Sequence, residues 1–174
     1  DSLIHMGAIP GPSRGRGLEI WENNVQSTAN LMLLAQERGL RRIVFSSSAF
    51  AMGWAADPTA FVPQYLPLDE DHLPTPFEPY GLSKLVGEKI GEMVARSSST
   101  SVVSLRFTNV VYPDLQKEFP WPAPTPEKPL TLVMWAYADP RDVVEAHVLG
   151  LQADLQGHEA FLIAQPSNRL ADST

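Results

Sequence analysis

Tyr80 and Lys84 stand four residues apart, and Pro79 just ahead of them suits the first turn of a helix. On a helix that spacing puts phenol and ammonium on one face, one turn apart. A free tyrosine, with a pKa of about 10, is a poor base at neutral pH. A neighbouring cation favours the phenolate and lowers that value. A tyrosine tuned in this way can exchange a proton with an alcohol or a carbonyl while a hydride moves elsewhere. Three consecutive hydroxyls, Ser46-Ser47-Ser48, follow the apolar run Ile43-Val44-Phe45. Tyr-x-x-x-Lys alone is a loose pattern, which a half-buried tyrosine beside a solvated lysine also satisfies. The surrounding elements decide between the two.

Those elements read as follows. Residues 3–6 form a short apolar run closed by Gly7, with Pro10-Gly11-Pro12 behind it, which predicts strand then loop. Residues 18–38 predict a helix with Ile20, Trp21, Val25, Leu31, Leu34 and Ala35 inward and Gly39 as its C′ residue. Arg41-Arg42-Ile43-Val44-Phe45 predicts a buried strand. Residues 49–78 carry five prolines and no sustained period; so long an irregular stretch is more often functional than idle. A second helix is predicted over residues 79–96, with Leu82, Leu85, Val86, Ile90 and Val94 inward, then a strand over 101–107. Residues 112–129 hold six prolines and are expected to be loop. Asp139-Pro140-Arg141-Asp142 resembles a capped helix start, with the helix running to about Ala153 and a last strand over 159–164. The order is β-α-β-α-β-α-β, with strands apolar throughout. That predicts an α/β fold: a partial Rossmann-like, doubly wound parallel sheet of about four strands with helices on both faces, as a single domain over residues 1–174.

The motifs in this order resemble those of extended short-chain dehydrogenases/reductases, the NAD-dependent epimerase/dehydratase family. Val44-Phe45-Ser46-Ser47-Ser48-Ala49, with Gly53 beyond, is similar to the family's serine-bearing strand end. Pro79-Tyr80-Gly81-Leu82-Ser83-Lys84 resembles its Tyr/Lys motif, and Asp1 to Ala8 its fourth strand. Asn24-Val25-Gln26-Ser27-Thr28-Ala29-Asn30-Leu31 resembles its Asn-Val-x-Gly-Thr-x-Asn-Leu helix, with Ser27 where glycine is usual. Leu105-Arg106-Phe107-Thr108-Asn109-Val110-Val111-Tyr112-Pro113 resembles its Leu-Arg-x-x-Asn-Val-Tyr-Gly-Pro segment, with Val111 and Tyr112 in place of Tyr-Gly.

The resemblance implies roles. Tyr80 would be the acid/base; Lys84 would lower its pKa and hydrogen-bond the nicotinamide ribose. Ser48 would orient the reacting oxygen, chosen because it directly precedes Ala49 in the family's register. Ser47 is the fallback and a candidate cofactor contact. Asn24 is either part of a proton relay or a helix-shaping asparagine, and Asn109 either a substrate contact or a turn former. The cofactor implied is NAD or NADP and the partner a small sugar-like substrate, with a homodimer of the full-length protein as an option. The four histidines show no metal-ligand spacing, and His5 reads as a packed strand histidine. Trp21, Phe50 and Trp54 read as packing, Arg141 and Asp142 as helix-start residues, and Asp69-Glu70-Asp71 as a solvated charge run.

Composition narrows the field in the same direction. A formal net charge of −7 argues against nucleic acid and anionic membrane surfaces as partners. With no cysteine, disulfide scaffolds and thiolate nucleophiles are removed, and a cytoplasmic protein is expected. No leader opens the chain and no apolar run reaches the roughly 18 residues that span a bilayer. The family's G-x-x-G-x-x-G loop, which lets backbone approach a pyrophosphate at a helix N-terminus, has no match in these residues. Both ends read as cut, so the polypeptide alone is expected to bind nicotinamide cofactor poorly. Ser48 is followed by Ala49-Phe50 rather than an acid pair, which sets dehydratase chemistry aside. Within the family an epimerase-like reaction on a sugar or nucleotide-sugar hydroxyl fits best. A simple sugar or uronate dehydrogenase, a carbonyl reductase, and a non-catalytic member or fragment are the alternatives.

Overall fold

Strand β2, Arg42–Ser46, is buried along its whole length, as is most of β3, Ser101–Phe107. Side chains alternate across such strands, so each strand supplies two cores. Ile43, Phe45 and Val102 face one side, where they pack with Met32, Ala35 and Val94. Val44, Val103 and Leu105 face the other, against Ala146, Leu151 and Leu155. The computed structural model describes residues 1–12, 15–54, 61–119 and 136–167. Its main sheet has four parallel strands in the order β1-β2-β3-β6, with β1 at Ser2–His5 and β6 at His158–Ile163. Helices α1 (Gly17–Glu37) and α2 (Pro79–Ser97) pack together on one face, and α4 (Pro140–Gln152) lies on the other. This is the Rossmann-like, doubly wound arrangement that the strand–helix order predicts.

The details differ in instructive places. The outer strands are half exposed: Ile4 in β1 and Phe161 in β6 both see solvent, since each strand pairs on one side only among the described residues. The buried stripe of α1 is Ile20, Asn24, Thr28, Met32 and Ala35, whereas Leu31 and Leu34 face outward. In α2 the buried residues are Gly81, Ser83, Lys84, Gly87, Glu88, Gly91 and Val94, and Leu82 is 40% exposed. The hydrophobic periodicity places Ile20, Ala35 and Val94 inward as found, and misplaces Leu31, Leu34 and Leu82. In α2 close packing is the reason: a Cβ on Gly87 would sit 2.6 Å from the Phe45 ring, so only glycine lets α2 approach β2 this closely.

The proline-rich stretch expected to be loop begins with one helical turn, α3 (Pro113–Gln116), started by its proline; residues 120–129 of it lie outside the described residues. Two short parallel strands, β4 (Asn109–Val110) and β5 (Tyr137–Ala138), form a second ribbon beyond the end of β3. Asp139 caps α4 by accepting from the Arg141 backbone N–H at 2.8 Å, and Gly39 takes the positive φ of a C′ residue after α1. No helix among the described residues is long and apolar enough to cross a membrane.

Candidate active site

The three serines at the end of β2 and just beyond it point to three different neighbours. Ser46 Oγ lies 2.8 Å from His147 Nε2, and His147 Nδ1 lies 2.7 Å from the Val143 carbonyl. A carbonyl only accepts, so Nδ1 carries the proton and Nε2 accepts from Ser46. Ser47 Oγ donates to Glu88 Oε1 at 2.5 Å. Ser48 caps a short 3-10 turn, Ala49–Met52, accepting from the Phe50 backbone N–H at 3.2 Å, and it lines one cavity with Tyr80.

Tyr80 is brought there by the start of α2. Pro79 opens the helix and Glu78 caps it, its carboxylate accepting from the N–H groups of Tyr80 at 2.7 Å and Gly81 at 2.6 Å. Phe50 meets the Tyr80 ring edge-on at 5.8 Å. Burial pushes the phenol above its ordinary range, against the downward pull of hydrogen bonds from Ser48 and the Gly11 backbone. Lys84 lies one turn further, 5% exposed, and donates to the Ser46 carbonyl at 2.8 Å. Its ammonium is 5.1 Å from the Phe45 ring centroid and 5.8 Å from that of Tyr80, and burial brings its pKa down to about 8. The expectation that Lys84 lowers the Tyr80 pKa is thus corrected. Desolvation dominates the phenol, and the ammonium is directed at a backbone carbonyl. His5, buried against Thr28 at 2.9 Å, falls to about 4 through burial and then the Lys84 charge.

Ser48 and Tyr80 line a cavity of about 280 Å³ together with Pro10, Gly11, Phe50, Trp54 and the β3–β4 segment 107–110. It opens beyond the C-terminal ends of parallel strands, where ligands bind in open α/β sheets. Asn109 lines it and is exposed. Asn24 is buried and does not line it. Its side chain accepts from the Ile9 N–H at 2.8 Å and donates to the Ile9 carbonyl and to Ser83 Oγ, both at 3.2 Å. Those contacts shape the loop that carries Gly11 to Tyr80. Ser47, expected as a cofactor contact, turns to Glu88 instead and does not line the cavity, because successive residues of an extended segment face opposite ways. Phe50 and Trp54, read as packing, line the cavity as well. Glu70, read as solvated, accepts from the Leu162 N–H at 2.7 Å and so ties its loop to β6.

Glu88 and Arg106 went unassigned in the sequence. Arg106 grips both Glu88 oxygens, at 3.0 and 2.8 Å, beneath the serine turn. The usable signals were an arginine inside an otherwise apolar strand and an acid one turn after Lys84 on a buried helix face. Among the described residues no group of three or more His, Asp or Glu could hold a metal ion.

Fold and site together define a Rossmann-like α/β protein with a serine, a tyrosine and a buried lysine gathered at its strand ends. The chain belongs to the NAD dependent epimerase/dehydratase family, whose model matches residues 1–121. It is 32% identical over 117 residues to a UDP-glucose 4-epimerase of Rhizobium leguminosarum bv. trifolii, a match covering 66% of this chain and 33% of that protein. To a putative UDP-glucose 4-epimerase of Methanocaldococcus jannaschii it is 37% identical over 87 residues, covering 50% and 26%. Among solved structures it resembles MoeE5 in complex with UDP-glucose and NAD (TM-score 0.73, 26% identity, 96% of this chain and 57% of that one). The UDP-glucose 4-epimerase of Brucella ovis in complex with NAD shares the fold, with a TM-score of 0.74 at 22% identity, covering 96% and 58%. The chain spans about a third or less of the length of these curated relatives and somewhat more than half of the solved ones.

Proposed function

We propose that the protein is an NAD-dependent enzyme that oxidises a hydroxyl of a nucleotide sugar and, as an epimerase, reduces the keto group again from its other face. The observation that carries this reading is that Ser48 and Tyr80 line the wall of one cavity, with the Lys84 ammonium buried one turn below. The names of the relatives support the substrate class: UDP-glucose 4-epimerases by sequence, and MoeE5 solved with UDP-glucose and NAD.

In this reading Tyr80 takes the proton of the reacting hydroxyl, and Ser48 hydrogen-bonds the same oxygen as it becomes a carbonyl. The residues present fit the reactive end of the cofactor. An ammonium has three N–H donors, and Lys84 uses one on the Ser46 carbonyl, which leaves donors for a ribose diol. Bound in its oxidised form, the nicotinamide supplies the hydride acceptor and a positive charge near a phenol that burial otherwise keeps protonated. Whether NAD or NADP is preferred turns on residues outside this chain's motifs.

A simple dehydrogenase uses the same side chains without the return step, and MoeE5 was also solved with UDP-glucuronic acid and NAD. The assay separates the two: an epimerase interconverts UDP-sugars with no net NADH, whereas a dehydrogenase accumulates NADH in step with product. Tyr80→Phe is expected to lower turnover by about 10²–10⁴-fold while NAD affinity stays near that of the parent. Near-normal turnover in that variant would remove Tyr80 from the chemistry.

A further inference from the structure

We propose that the buried Glu88–Arg106 ion pair is a positioning device: by holding Ser47 it fixes Ser48 against Tyr80, and by occupying Glu88 it leaves Lys84 to the Ser46 carbonyl. This rests on the reading of Ser48 and Tyr80 as the groups that meet the reacting oxygen.

The pair joins α2 to β3 with side chains only 3% and 7% exposed, and Ser47 adds a third hydrogen bond on Oε1 from the turn after β2. Arg106 also donates from Nη1 to the Glu70 carbonyl at 3.3 Å, and the Glu70 carboxylate holds the β6 backbone. Lys84 and Glu88 are four apart on one buried helix face, a spacing at which opposite charges ordinarily pair. They do not pair here. Both Glu88 oxygens are taken, and the ammonium goes to Ser46. Stability alone is a poor account of such a pair, because the cost of desolvating two charges offsets most of their attraction. Its position is a better one. Ser47 is the residue before Ser48, so a tether on its hydroxyl limits how far Ser48 can drift from the phenol. Ser48 shares the cavity wall with Tyr80 and pulls the phenol down, so a loosened Ser48 should let it rise.

The test uses two variants of the whole protein. Ser47→Ala removes the tether alone. The double variant Glu88→Met with Arg106→Met removes both charges at once, so that neither is left buried and unpaired. The Tyr80 phenol is titrated by tyrosinate absorbance against a Tyr80→Phe subtraction, and kcat and KM are measured with UDP-glucose or UDP-galactose and NAD. The expected result in both variants is a Tyr80 titration moved upward by about half a pH unit or more. With it kcat should fall about tenfold or more, while KM stays within roughly twofold. A titration unchanged from the parent overturns the proposal, whether or not kcat falls. If the titration moves but the parent turns over no UDP-sugar, the positioning role stands and the proposed activity fails. If the double variant does not fold, Ser47→Ala alone decides.

Discussion

Lys84 carries a charge that burial opposes and that no carboxylate neutralises among the described residues. Its pKa of about 8 in the fold, against 10.5 for the free side chain, has a consequence for stability. Between those values the unfolded chain binds more protons than the folded one, so stability should rise with pH from about 8 upward. Tyr80 acts in the opposite sense above its free value of 10.0, since burial raises it, so the clean window lies between about 8 and 10. Denaturant unfolding across that window should show a rising limb that Lys84→Met flattens; parallel limbs would mean that the ammonium is already solvated. At this scale the sequence was largely legible, because Tyr80, Lys84 and Ser48 fall in motifs whose spacing places them. Which of the three serines meets the cavity was illegible for a physical reason: adjacent residues of an extended segment face opposite ways, and nothing in a run of three serines says which hydroxyl does so. The direction of the Tyr80 shift was illegible too, since it depends on burial that only the packed loop supplies.

Helix α2 is the element on which the site hangs, and small residues set its distance from the sheet. Gly87→Ala tests this. Alanine is the better helix former by about 1 kcal/mol, which alone would stabilise the helix. The added Cβ would meet the Phe45 ring at 2.6 Å, and that ring, 1% exposed, is held in the core with Met32 and Val94. Overpacking of this kind costs about 1–3 kcal/mol and should win. A lowered denaturant midpoint is expected, accompanied by a raised KM for NAD, because Lys84 recedes with the helix. An unchanged midpoint would show that the ring can give way. The same glycines explain why hydrophobic periodicity misplaced Leu82: the leucine advertises burial, while Gly81, Gly87 and Gly91 lie on the buried face of α2. Glu88 and Arg106 stayed hidden because each finds its partner on another element, across 18 residues of sequence.

For the whole molecule, sheet topology was legible from strand order, whereas the β4–β5 ribbon, two residues a side, is too short to leave a pattern. The 174 residues hold the serine, tyrosine and lysine but no G-x-x-G-x-x-G motif to take a pyrophosphate. Calorimetry on this chain by itself should therefore show weak NADH binding; tight binding would mean that the phosphates are held by other residues of the chain. The serine turn has a last implication, for redesign. Ser46 and Ser47, just ahead of the cavity residue Ser48, are anchored to His147, Glu88 and Lys84, so a substitution there disturbs several neighbours together. Asn109 and Val110, which also line the cavity, are exposed on a strand of only two residues. Under the proposed activity, sugar selectivity should respond to randomising Asn109 and Val110 and not to changes in the anchored serine segment.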